Sequence, residues 1–178
     1  MLPQSPDPIT NMQIEIPQAL IDFTSPWADF MKHSKLAKTI VLFLHIAPIV
    51  VGGGIAIGLD RLSLRLSKGG APDRGRHLAE LARTHNLVIY SLAVSIISGL
   101  ALVAAEIDNF PTSWIFWLKM AFIVILLING LRMKSIESSM ARNGPSEADW
   151  GRLHTVAIAS ITLWLTITFL GVALSKFA

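Results

Sequence analysis

The stretch TIVLFLHIAPIVVGGGIAIGL, residues 39–59, contains no charged side chain. An α-helix rises ~1.5 Å per residue, so about 20 apolar residues cover the ~30 Å hydrocarbon layer of a bilayer. Residues 87–105 and 156–175 are equally free of charge, and residues 114–131 carry one, Lys119. Runs of this length exceed any core strand and read as membrane spans. The expected fold is all-α: a transmembrane four-helix bundle running up-down-up-down, preceded by an N-terminal interfacial amphipathic segment. Residues 1–37 form that extended or interfacial segment, and residues 38–178 the four-helix transmembrane domain. Short connections between the spans favour antiparallel neighbours.

Composition agrees. The chain is 52% hydrophobic and 15% charged, whereas soluble domains carry about 25% charged residues. Its 178 residues leave no room for a separate soluble catalytic module. Cysteine is absent, which excludes disulfides, thiolate metal sites, iron–sulfur clusters, c-type haem and cysteine nucleophiles.

Charge sets the orientation. The side of the bundle holding the N-terminus and the 106–113 loop is side A, and the opposite one side B. Side B carries Arg61, Arg65, Lys68, Arg74, Arg76, Arg83, Arg132, Lys134, Arg142 and Arg152. Side A has Lys32, Lys35, Lys38 and Lys176, and its loop has only acids, Glu106 and Asp108. The excess of bases marks side B as cytoplasmic in a bacterial inner membrane, with both termini outside. The basic loops fit attraction to anionic lipid. Nucleic acid is an unsuitable partner, because no aromatic residues interleave the bases and the bilayer lies beside them.

No basic start, apolar run and small-residue cleavage site precede residue 37, so no signal peptide is read there. Residues 1–10 hold three prolines and are expected to be extended. Ser25-Pro26 reads as an N-cap followed by proline at the first helical position. From there a short surface helix would place Trp27, Phe30 and Met31 in lipid; a lid over the bundle is the alternative.

Pro48 inside the first span removes a backbone donor and tends to kink the helix. Gly52, Gly53, Gly54 and Gly58 follow, and Ser91, Ser95 and Gly99 form a small-residue stripe on the second span; both suit close helix contacts, within the chain or between chains. Residues 68–72, Lys-Gly-Gly-Ala-Pro, read as a turn with Asp73 as the following cap, and Ser146 as a cap with Glu147 and Asp149 in the first turn. Trp114 and Trp117 are expected at the side-A interface.

Polar groups in hydrocarbon need a partner or a purpose. Toward side A, His45 and Lys119 lie at similar depth, roughly 8–9 Å below the start of their spans at 1.5 Å per residue, with Glu106 nearby. A Lys119–Glu106 ion pair beside His45 is one expectation, with His45 bonded to a carbonyl freed by Pro48. The sharper one makes His45 a metal ligand or proton carrier. Toward side B, Arg83-Thr84-His85 and Arg152-Leu153-His154 precede the second and fourth spans at the same offset. If those spans face each other, the histidines would ligate haem b axially and Arg83 and Arg152 would pair its propionates. Ordinary interfacial residues would look the same. His77 is expected in a solvated loop helix and His33 at the interface. Asp60, Arg61, Asn129 and Arg132 suggest a buried polar network fastening the first span to the third.

No zinc-protease His-Glu-x-x-His, P-loop or Gly-x-Ser-x-Gly motif occurs, and no intramembrane carboxylate pair is read. The six methionines are scattered and suit gap filling.

Several of these features fall in one order: Pro26-Trp27, Leu44-His45, glycines 52–54, Asp60-Arg61, Ser98-Gly99, Phe116-Trp117-Leu118-Lys119, then Asn129 and Arg132. Over residues 26–133, with weaker agreement at residues 160–164, this order resembles a group of bacterial multi-helix integral membrane proteins of unassigned activity. Their layout is distantly similar to the membrane domain of copper-resistance protein D. The resemblance implies an all-helical membrane fold and a role for His45 and Lys119. Three functions follow as expectations. One is a haem-binding electron-transfer bundle working with quinone or a membrane partner subunit. Another is a metal- or proton-transport-related protein, and the last a structural subunit without chemistry. No catalytic set is legible.

Overall fold

The computed structural model describes residues 16–67 and 73–177. Residues 1–10 and the 68–72 turn lie outside the described residues. The rest is helical: α1 (Gln18–His33), α2 (Lys35–Leu66), α3 (Arg74–Ala105), a single 3-10 turn (Phe110–Thr112), α4 (Trp114–Asn143) and α5 (Glu147–Phe177). No strand occurs among the described residues. Helices α2 to α5 are each long and apolar enough to cross a membrane. Ser34 ends α1 and caps α2, its hydroxyl accepting from the Ala37 amide at 3.2 Å. Ser146 caps α5 as expected: its Oγ accepts from the Asp149 amide at 3.2 Å, and Asp149 Oδ2 accepts in return from the Ser146 amide at 3.3 Å. This reciprocal pair satisfies two donors of the first turn.

The four long helices do not pack evenly. α2 lies against α3, α4 against α5, and α2 against α5, while α3 and α4 barely touch. The ring is therefore open on one flank. α5 is the most enclosed of the four helices. Three apolar layers stack along it. Met140, Trp150, Leu153 and Ala157 fill the side-B end, with Leu66, Leu81 and Met133 packed on them. Leu126, Leu163, Trp164 and Ile167 fill the middle. Ile115, Phe116, Leu170 and Leu174 fill the side-A end. Large apolar side chains such as Phe43, Ile97, Leu131 and Phe169 face outward, as a surface solvated by acyl chains requires.

The glycines of α2 divide by face. A Cβ on Gly52 would lie 2.5 Å from Ser91 Cβ, and one on Gly53 would lie 3.0 Å from the Trp164 ring. Both positions are closed by a neighbouring helix, whereas Gly54 and Gly58 look into open space.

The N-terminal segment differs from its expected form. Helix α1 starts at Gln18, and Pro26 sits inside it. Ser25 is thus no N-cap; its hydroxyl donates to Asp22 O at 2.9 Å within the helix. Met31 is buried against protein, not lipid. The half-buried Trp27 donates its indole N–H to Ala101 O of α3 at 2.8 Å. Phe23 and Phe30 remain exposed. An indole N–H in an apolar setting needs an acceptor, and the end of α3 supplies one, which draws α1 onto the bundle.

Candidate functional site

At the side-A end the structure brings His45 and Lys119 into one neighbourhood, but not Glu106. His45 Nδ1 lies 2.8 Å from Ser95 O, and the ring rests on Gly99, where a Cβ would come within 2.9 Å of it. Its partner is thus a carbonyl of α3, not the one freed by Pro48. The freed carbonyl, Leu44 O, lies 3.2 Å from the Ser98 hydroxyl, which also reaches Val94 O at 2.7 Å. The serine stripe of α3 therefore serves the proline-interrupted backbone of α2; the Ser95 hydroxyl donates to His45 O at 3.2 Å. Lys119 lies beside Gly171 of α5. Glu106 pairs with Lys38 at 3.1 Å, on the surface, so the expected Lys119–Glu106 ion pair is not formed. Lys38 reaches Glu106 because α2 begins one turn before its apolar core.

At the side-B end Asp60 is 2% exposed. The expected link to Arg61 or Arg132 is absent, since both guanidinium groups point outward and neither forms an ion pair among the described residues. The Ser160 hydroxyl of α5 faces the Asp60 carboxyl instead. Asp60 Oδ2 is buried and has no hydrogen-bond partner among the described residues. Asn129 does not join Asp60; its Nδ2 donates to Val156 O at 2.9 Å, linking α4 to α5. His77 is buried, not solvated, with Nε2 2.7 Å from Ser63 Oγ. The Gly-Gly sequence before α3 made that helix start look like a loop helix; in fact its first two turns pack on α2 and α5.

The open flank between α3 and α4 holds a groove of about 390 Å³. Its floor is Leu59, Asp60, Ser160 and Trp164 of α2 and α5. One wall is α3, with Thr84, His85, Val88, Ile89 and Leu92; the other is α4, with Leu126, Asn129, Gly130, Met133 and Glu137. The surface is mostly apolar, and its polar groups gather toward side B. Two carboxyl groups meet there: Glu137 lies within electrostatic range of Asp60, and its Oε1 is also buried without a partner. Sequence reading passed over Glu137 and expected no carboxylate pair in the membrane, because Glu137 sits in a polar stretch that looks solvated. It also passed over Ser160 and Trp164 as groove residues; the signal was Ser160 within an otherwise apolar span.

His85 lines this groove, whereas His154 does not; it is half-buried on α5. Arg83 is exposed, and exposed Arg152 lies 3.6 Å from Asp149. Haem ligation by the two histidines gains no support from this arrangement. No group of three histidine or acidic side chains placed to hold a metal ion occurs among the described residues. Comparison with protein-family models, with curated proteins and with solved structures finds no match.

Proposed function

We propose that this is a membrane-embedded binding protein that takes a small amphipathic molecule sideways out of the bilayer, into the groove between α3 and α4. The supporting observation is the open flank. Two spanning helices stand apart over a cavity whose walls are apolar and whose polar groups converge at one end. Small-molecule sites have this character and a volume of about 300–1,000 Å³. The long axis of the groove follows the helices, from Trp164 near the middle of its span to Glu137 at the side-B end. A molecule lying there keeps its chain at the depth of acyl chains and its head at the interface. By the positive-inside rule side B is cytoplasmic in a bacterial inner membrane, and the termini lie outside.

Gly130 gives the test. It lines the groove, and a Cβ there meets nothing within 4 Å. Gly130→Leu therefore fills the cavity without forcing the helices apart. Native mass spectrometry after mild detergent extraction should show a retained small molecule on the wild type and none on Gly130→Leu. A wild-type chain as bare as the variant contradicts the proposal.

A second reading concerns partners. Gly54 and Gly58 are exposed, one turn apart, and nothing among the described residues approaches them. Such a Gly-x-x-x-Gly face suits contact with a second spanning helix. We read it as the face through which the chain pairs with another copy or a membrane subunit. Cross-linking in membranes should give a dimer that Gly54→Leu abolishes; a dimer unaffected by that change contradicts this reading.

A further inference from the structure

We infer that the molecule held in the groove carries a protonated amine, bound between the carboxyl groups of Asp60 and Glu137. This inference rests on the proposed binding function and names the chemical class of its ligand.

Two buried acceptors in the groove have no donors among the described residues. Asp60 is 2% exposed, lines the groove, and leaves Oδ2 unpartnered. Glu137, on the α4 wall, leaves buried Oε1 unpartnered among the described residues. Two neighbouring carboxyl groups at the edge of hydrocarbon cannot both hold a negative charge unless a proton or a cation accompanies them. Among the described residues no lysine or arginine forms an ion pair with either carboxylate. The ion pairs among the described residues lie elsewhere, at Lys38–Glu106, Arg74–Glu147 and Arg152–Asp149. Lys134, three residues before Glu137, is within electrostatic range of Glu137 and His85, but it is exposed and pairs with neither carboxylate.

The walls then choose the kind of cation. A metal ion needs several ligands at short range, and no such group is present among the described residues. An alkali cation would use none of the apolar surface between Ile89, Leu92, Leu126 and Trp164. A chain ending in an ammonium group uses both parts. Its N–H donors meet the orphan oxygens, and its methylenes pack on the apolar walls in place of acyl chains. A zwitterionic phospholipid also carries an ammonium, but its phosphate would enter beside two carboxylates, and its two chains exceed the groove. The occupant is therefore a single-chain or compact lipophilic amine.

The test uses the full chain in phosphatidylcholine nanodiscs, with tritiated dodecylamine as probe and dodecanol and dodecanoate as competitors. Binding above partition into empty discs should saturate near one amine per chain. Dodecanol should compete at least ten-fold more weakly than unlabelled amine, and dodecanoate more weakly still. In Asp60→Asn and Glu137→Gln the preference for amine over alcohol should fall toward one. Arg61→Gln, an exposed side-B charge outside the groove, should keep it. Thermal unfolding of each variant confirms that the near-isosteric changes leave the chain folded. Equal affinity for amine and alcohol, or a preference that survives Asp60→Asn, overturns the inference while leaving the groove a lipid-side binding site. Absence of saturable binding by either probe overturns both.

Discussion

The Ser63 hydroxyl and His77 Nε2 lie 2.7 Å apart, joining α2 to α3 at a place where Ser63 is 0% and His77 3% exposed. Nδ1 of the same ring is buried with no partner, so this bond is the only one the imidazole makes among the described residues. Ser63→Ala would leave both ring nitrogens unsatisfied. An orphaned buried polar group costs about 1–3 kcal/mol, and unfolding in detergent should register a loss of that order. Stability equal to wild type would contradict a water-free contact.

Gly52 and Gly54 should respond in opposite ways to one methyl group. A Cβ on Gly52 meets Ser91 Cβ at 2.5 Å, while one on Gly54 meets nothing. Overpacking a tight contact costs roughly 1–3 kcal/mol, so Gly52→Ala should destabilise by about that much. Gly54→Ala should be neutral or slightly stabilising, since alanine favours the helix by ~1 kcal/mol. Adding Ser91→Gly to Gly52→Ala should restore much of the loss, read by thermal unfolding of the double variant.

Arg74 fastens the side-B end. Its guanidinium donates to Glu147 Oε1 at 2.6 Å and to Leu66 O at 3.1 Å, and it stacks over Trp150 at 4.5 Å. One planar group thus reaches α2, α3 and α5. Lysine cannot reproduce the fork or the stacking. Arg74→Lys should cost roughly 1–2 kcal/mol, from a cation–π contact of about 1 kcal/mol and partly lost hydrogen bonds. Lys38→Met at the exposed Lys38–Glu106 pair should cost no more than ~1 kcal/mol. Equal effects of the two changes would contradict the difference in burial.

The four spans were legible because uninterrupted apolar length is a strong signal, and the similar depths of His45 and Lys119 followed from counting residues. The facing of the helices was not legible. Along α5 the lipid side carries Leu165 and Phe169 and the core side Leu163 and Ile167; both media are apolar, so no periodic change of residue type separates them. For the same reason nothing showed that the ring would open between α3 and α4, or that Asp60 would meet Ser160 and Glu137 in place of Arg132. His77 was misplaced because a histidine shortly after a Gly-Gly sequence looks solvated until its neighbour Ser63 is known.

Trp164 offers the most direct test of ligand uptake through the open flank. It lies on the groove floor and is 4% exposed, so ordinary acyl chains should reach it poorly. With the other four of the five tryptophans changed to phenylalanine, its fluorescence in nanodiscs reports on the groove alone. Titration with 12-bromododecanol should quench it along a saturating curve, and Gly130→Leu should remove that curve. Quenching that only follows the partition of bromide into lipid, unchanged by Gly130→Leu, would contradict the groove as a binding site.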